Sequence, residues 1–138
     1  GGGLISGVAS AVKQKAATLG RTVRIIGVQA ENAAAYPPSL AAGEPVNVEV
    51  QPTICDGIAV ARPGTLNFDI IKDTVDEVVT VTDDDTARAL VMLLERAKLV
   101  VEPAGAVGAD VLSTRAALGA AHRSQNESST PNDTAATM

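Results

Sequence analysis

The chain has 138 residues, a net charge of −5 and 46% hydrophobic residues, yet only 1% aromatics, with no Trp, one Tyr and one Phe. The acidic balance excludes nucleic acid as a partner, because phosphate backbones are met by clustered Lys and Arg; no apolar stretch approaches the roughly 18 residues of a membrane span. The lone Cys55 excludes an internal disulfide framework and fits a reducing cytosol.

With so few aromatics the core must be assembled from Val, Ile, Leu and Ala, the filling of an α/β layered fold. The chain opens on Gly1-Gly2-Gly3-Leu4-Ile5-Ser6-Gly7. Residues without Cβ let backbone N–H groups turn inward on a bound anion, and the helix that follows aims its positive end at the same point. That makes a candidate phosphate cradle; the alternative is a flexible, tag-like glycine start. A nucleotide P-loop fails for want of Gly-Lys-Ser/Thr. A dinucleotide fingerprint finds Glu31 near its acidic position but lacks the strand before the loop. A loop of this type hangs from a buried strand, so its place at residue 1 leads to the expectation of a piece cut from the middle of a larger protein.

Ile5, Val8, Val12, Ala16 and Leu19 recur at helical spacing and predict a helix ending at Gly20. Val23, Ile25, Ile26 and Val28 predict a short buried strand. A helical segment over Glu31–Ala35 is expected to break at Pro37-Pro38, with another turn over Ser39–Ala42 before Gly43. Residues 44–64 read as loop with a short strand at Asn47–Val50. Thr65 is expected to cap a helix through about Thr74, Val78–Val81 is a second strand, and Thr82 with Asp85 forms a capping pattern for a helix ending near Lys98. Pro103 is placed to open a further helix through about Leu112. Helices alternating with buried strands imply a parallel sheet with right-handed crossovers. From Thr114 to Met138 the composition turns polar, and that tail is expected to be disordered.

Each remaining motif has two readings. Glu102, between Leu99-Val100-Val101 and Pro103, is either a charge at a helix start or an acid facing a ring or cation in a cleft. Gly57 in Thr53–Ile58 sits either in an ordinary turn or where its backbone meets a ligand. Asp83-Asp84-Asp85 reads as a solvated, capped helix start rather than a Mg²⁺ or Ca²⁺ site. Cys55 has no activating neighbour and reads as an inert small hydrophobe. His122 has no partner, and the sequons at Asn126 and Asn132 read as chance.

Gly1-Gly2-Gly3-Leu4-Ile5-Ser6-Gly7, Gly27-Val28-Gln29-Ala30-Glu31, Tyr36-Pro37-Pro38-Ser39-Leu40, Thr53–Ile58, Arg62-Pro63-Gly64 and Val101–Ala106 stand in the order and at the intervals of a known family. Over residues 1–113 the chain resembles the pyridoxal-phosphate-dependent threonine ammonia-lyases (threonine dehydratases) of the fold type II group, which also holds serine racemase. The resemblance implies an α/β fold: a partial three-layer parallel sheet flanked by helices, the cofactor-binding domain over 1–113 and a tail over 114–138. It implies that backbone N–H groups of Gly1, Gly2, Gly3 and Leu4 hold the phosphate of pyridoxal 5′-phosphate, and that Gly57 and Glu102 line the cofactor pocket. The implied reaction converts L-threonine, and L-serine as a second substrate, to a 2-oxo acid and ammonia, in the cytosol, by a homo-oligomer. Serine racemase, serine dehydratase and a non-catalytic phosphate-binding fragment are the rivals.

The family's cofactor-carrying lysine lies in a Ser-x-Lys-x-Arg-type motif that this chain lacks. Lys13, Lys15, Lys72 and Lys98 match no catalytic position, so the chain alone is expected to be silent. The Ser-Gly-Gly-Asn segment that faces the pyridine nitrogen is replaced by the polar tail, which reads as foreign or frame-shifted sequence. Relatives with a divalent-cation site carry carboxylates where this chain has Gln29 and Ala35, so no metal site is expected.

Overall fold

The structure, a computed structural model, describes residues 1–114. Helix α1 (Gly3–Thr18) leads into strand β1 (Ile26–Ala30), a single 3₁₀ turn at Glu31–Ala33 and helix α2 (Tyr36–Ala42). A long loop with a 3₁₀ turn at Asp56–Ile58 precedes α3 (Thr65–Thr74), β2 (Glu77–Val81) and α4 (Asp83–Met92). Helix α4 widens into a π turn at Leu93–Ala97, and a last helix, α5, begins at residue 103 and runs to the end of the described residues.

The two strands pair in parallel, from Ile26 opposite Glu77 to Ala30 opposite Val81. A parallel pair requires a crossover, here made by α2, the long loop and α3. Because successive side chains of a strand face opposite ways, the pair has two buried faces. On one, Val78 joins Tyr36, Phe68 and Ile71, with Ile5 and Val75 at the margin, so α1 and α3 cover that side. On the other, Ala30 and Val81 join Cys55 and Val107. Helices on both faces of a parallel sheet make the layered α/β architecture the sequence implies.

Several boundaries differ from the sequence reading for identifiable reasons. Strand β1 starts at Ile26 rather than Val23 because pairing begins only where β2 begins. Ile25 is instead held by Asp76, whose carboxylate accepts from the Ile25 N–H at 2.7 Å and whose own N–H donates back to the Ile25 carbonyl at 2.9 Å. Pro37 and Pro38 do not break a helix; they open α2, in the first turn, where a missing N–H removes no internal bond. Gly43 then ends α2 at φ 79°. No strand forms at Asn47–Val50, whose Val48 N–H reaches a single acceptor, the Ala61 carbonyl.

The Thr82–Asp85 capping box is present in both directions, the Asp85 N–H donating to Thr82 Oγ1 and the Thr82 N–H donating to Asp85, each at 3.1 Å. Arg88 also bonds Asp85, and Asp83 accepts from Thr53 Oγ1 at 2.6 Å and the Ile54 N–H at 3.1 Å. The acidic run thus caps a helix and ties down the Cys55 loop. Cys55 is fully buried in the second core. Tail residues 115–138, with His122, Asn126 and Asn132, lie outside the described residues.

The Asp76 clasp carries an acid-dependence. The Ile25 N–H first, and then the Lys13 ammonium at 2.7 Å, hold its carboxyl below the usual carboxylate range. A lowered native pKa means that the stabilisation is present above the unfolded value of about 3.9 and disappears as pH falls through the native one. Urea unfolding followed from about pH 5 down to about pH 2 should therefore show a shallower acid limb for Asp76→Asn than for the parent. Parallel acid limbs would remove Asp76 from the account.

Candidate functional site

At the N-terminal end of α1 a cleft of about 440 Å³ opens between the glycine run, Gly27, Val28 and Gln29 of β1 and the Asp56–Ile58 turn. All six sequence-predicted site residues, Gly1, Gly2, Gly3, Leu4, Gly57 and Glu102, lie in its wall. Residues far apart in the chain meet there because the parallel crossover brings the ends of β1 and α1 together with the long loop.

The glycine run is held by α3, the residue before it and Tyr36. The Gly1 carbonyl accepts from the Gly64 N–H at 3.1 Å, Asn67 Nδ2 at 3.0 Å and the Tyr36 hydroxyl at 3.1 Å. The Ser6 hydroxyl donates to the Gly3 carbonyl at 3.0 Å and to Asn67 Oδ1 at 3.3 Å. Burial pushes the Tyr36 phenol above its ordinary value, which keeps it a donor. With these carbonyls engaged on α3 and Tyr36, the free donors of the run are the backbone N–H groups of the first turn of α1. No side chain caps that turn and no acidic residue lies in it.

Gly2, at the N-cap, has φ 95°, and a Cβ there would overlap the Tyr36 hydroxyl and stand 2.8 Å from Ile71 Cδ1. The position therefore requires glycine twice over, for its backbone angle and for the aromatic ring beneath it. At Gly3 the nearest atom to an added Cβ is Asn67 Nδ2, 4.0 Å away. An uncapped helix start with glycine backbone in a cleft wall fits a phosphate group, which accepts N–H bonds and is favoured by the helix dipole.

Across the cleft, a Cβ on Gly57 would stand 3.3 Å from that of Ala104 and 3.6 Å from Glu102 Oε1. The Asp56–Ile58 turn thus packs on the start of α5. Glu102 immediately precedes α5, its carbonyl accepts from the Gly105 N–H at 2.9 Å, and its side chain is exposed to the cleft wall. Glu102 thus stands at a helix start and in the cleft wall at once. Of the chain's lysines within the described residues, Lys13, Lys15, Lys72 and Lys98, none lines the cleft.

Sequence reasoning did not single out Gly27, Tyr36, Arg62 or Ile71 as site residues, although all line the cleft. Tyr36 carried a signal, as the chain's one tyrosine beside a Pro-Pro pair. At Gly27 β1 runs close to α1, and a Cβ there would stand 3.0 Å from Ile5 Cδ1. Gln29 uses its side-chain oxygen to accept the Tyr36 N–H at 2.9 Å, and Ala35 is buried. Among the described residues no three His, Cys, Asp or Glu side chains stand together as a metal site.

Comparison with known proteins agrees with this geometry. The L-threonine ammonia-lyases of Thermotoga maritima and Geobacter sulfurreducens are each 49% identical to the chain, over 78% and 83% of it and over 26% and 28% of their own lengths. The crystal structure of T.th. threonine deaminase superposes with a TM-score of 0.76 at 35% identity, over 85% of this chain and 42% of that one. Maize serine racemase superposes with a TM-score of 0.73 at 37% identity, over 80% of this chain and 32% of that one. The chain therefore spans about a quarter of the length of the curated relatives it matches. The family described as pyridoxal-phosphate dependent enzyme matches residues 1–127, past the 113 at which the resemblance in the sequence ends. With the glycine cradle, the Gly57 turn and Glu102 gathered in one cleft and that match running through all of them, the chain belongs to the pyridoxal-phosphate dependent enzyme family.

Proposed function

We propose that this chain forms the phosphate-binding side of a pyridoxal-phosphate-dependent ammonia-lyase acting on L-threonine, with L-serine as a second substrate. The observation that carries the reading is the uncapped start of α1, with Gly1–Leu4 in the wall of a cleft that also contains Gly57 and Glu102. The 49% identity to L-threonine ammonia-lyases supports the substrate. When bound, the cofactor supplies the electron sink for removing the α-proton and β-hydroxyl of the amino acid.

The chain's own groups bind and orient. The N–H groups of the first turn of α1 take the phosphate, and Gly57 lets backbone approach the ring. Glu102 places a carboxylate at the far wall, and Ile71, Val78 and Ile58 make the lining apolar, which limits water and strengthens electrostatic contacts. Because none of the described lysines reaches the cleft, the amine that carries the cofactor comes from outside residues 1–114. The similarity to maize serine racemase favours a second reading, racemisation of serine in the same cleft. A cytosolic setting is supported by the buried free thiol of Cys55.

The test compares two proteins. The 138-residue chain alone should bind pyridoxal phosphate and release no 2-oxo acid from threonine. The Thermotoga maritima relative carrying residues 1–114 of this chain in place of its own matching segment should release 2-oxobutanoate. Exclusive conversion of L-serine to D-serine by that hybrid would replace the lyase reading with the racemase one. A chain with no affinity for the cofactor would overturn both.

A further inference from the structure

Three donors converge on one oxygen. The Gly1 carbonyl, whose oxygen has two lone pairs, accepts from the Gly64 N–H at 3.1 Å, the Tyr36 hydroxyl at 3.1 Å and Asn67 Nδ2 at 3.0 Å. A trans peptide is planar and sets its C=O and N–H on opposite sides, so fixing the Gly1 carbonyl also fixes the direction of the Gly2 N–H. Gly2 lies in the cleft wall, and its N–H meets no acceptor among the described residues. Asn67, half-buried in the first turn of α3, is the one donor of the three that also bonds a residue of α1. Its Oδ1 accepts from the buried Ser6 hydroxyl at 3.3 Å, and that hydroxyl meets the Gly3 carbonyl at 3.0 Å. The Gly3 carbonyl shares a peptide plane with the Leu4 N–H, a first-turn donor without a helical acceptor.

One carboxamide therefore spans both peptide planes. Its orientation is fixed by chemistry, since a carbonyl only accepts: Nδ2 must face Gly1, which leaves Oδ1 for Ser6. The packing of α3 on the sheet is supplied by Phe68 and Ile71, so that contact does not call for a polar bridge. Direction is what the bridge supplies. A hydrogen bond weakens steeply as its donor angle falls towards about 120°, so a rotated peptide loses phosphate contacts while the contacts to the rest of the ligand stay. We propose that Asn67 is a positioning residue that aims the Gly2 and Leu4 N–H groups at the ligand's phosphate. This rests on the reading of the cleft as a phosphate-ester site, and it concerns the phosphate's share of affinity rather than the presence of affinity.

The experiment titrates the 138-residue chain, N67L, N67S and N67Q with pyridoxamine 5′-phosphate and with pyridoxamine, alongside thermal unfolding of each protein without ligand. The two ligands differ by the phosphate alone, and neither has an aldehyde to react with lysines. The Gly1 ammonium, in the same wall, is common to every variant and cancels from the comparison. N67L, of similar size with no polar atom, should bind pyridoxamine 5′-phosphate about tenfold more weakly and pyridoxamine as the parent does. N67S, which lacks the amide, should match N67L and decides the matter if N67L does not fold. N67Q keeps the carboxamide and should recover part of the preference. If N67L and N67S weaken both ligands by one factor, in step with their melting temperatures, Asn67 is only a strut between α1 and α3 and the proposal falls. It falls equally if they keep the parent's preference for the phosphorylated ligand, since Gly64 and Tyr36 would then set the peptide planes without it. A parent chain that binds pyridoxamine 5′-phosphate no better than pyridoxamine removes the phosphate-site reading itself, and the positioning role with it.

Discussion

Gly2→Ala should abolish phosphate-dependent binding and lower the stability of the chain by about 2–4 kcal/mol, while Gly3→Ala, one residue on, leaves both close to the parent. At Gly2 the new methyl meets the Tyr36 hydroxyl and Ile71, and φ 95° is strained for any L side chain. Overpacking typically costs about 1–3 kcal/mol and the left-handed backbone about 1 more. The displaced group is the Tyr36 hydroxyl, one of three donors on the Gly1 carbonyl, so the loop loses its anchor as well as its angle. At Gly3 the space is open. Gly3→Asp separates charge from fold. A carboxylate in the first turn is favourable to the empty helix by about 0.3–1 kcal/mol, yet it puts negative charge where the phosphate is held. Thermal unfolding with paired titrations of pyridoxal phosphate and pyridoxal should show an equal or higher melting temperature and a lost preference for the phosphorylated form. Undiminished pyridoxal phosphate binding by Gly3→Asp would move the phosphate away from α1.

Phe68→Ala should cost about 3–5 kcal/mol, a large part of the roughly 5–15 kcal/mol that holds a domain together. Phe68 is 1% exposed and is the centre of the core between the sheet and α3. Its ring lies 6.5 Å from that of Tyr36, at 23° between planes. The site shares the damage, because Tyr36 positions the glycine run. Leu66→Ala on the same helix, at a residue 73% exposed, should stay within about 0.5 kcal/mol. Urea midpoints of the two variants would make the comparison, and equal shifts would show that the α3 face is not the core.

The local elements were legible because their causes are local. The Thr82–Asp85 box, α3 after Gly64 and the Gly43 stop involve residues within one helical turn, and each lies where its residue types require. The exceptions have physical reasons. Strand β1 is defined by β2, so no property of Val23–Ile26 alone could set its first paired residue. Pro37-Pro38 is equally a stop and a start, and Gln29, whose side-chain oxygen accepts the Tyr36 N–H, decides for a start. The Asn47–Val50 segment has strand composition but, among the described residues, pairs with neither β1 nor β2.

Glycine backbone before a helix is a feature of the chain itself, whereas Gly57 and Glu102 entered only through the family resemblance; all six residues line one cleft. By itself the sequence determined the α/β class, the starts of α4 and α5, the glycine run before α1 and the family these residues resemble. Tertiary structure alone decided what holds that cradle and what faces it. The Gly1 carbonyl is gripped from residues 36, 64 and 67, Gly57 packs against Ala104, and Arg62 reaches Pro45. None of these pairs shares a local period. They meet because a parallel strand pair forces a long crossover to return over the same helix end, and distance along the chain carries no trace of that return.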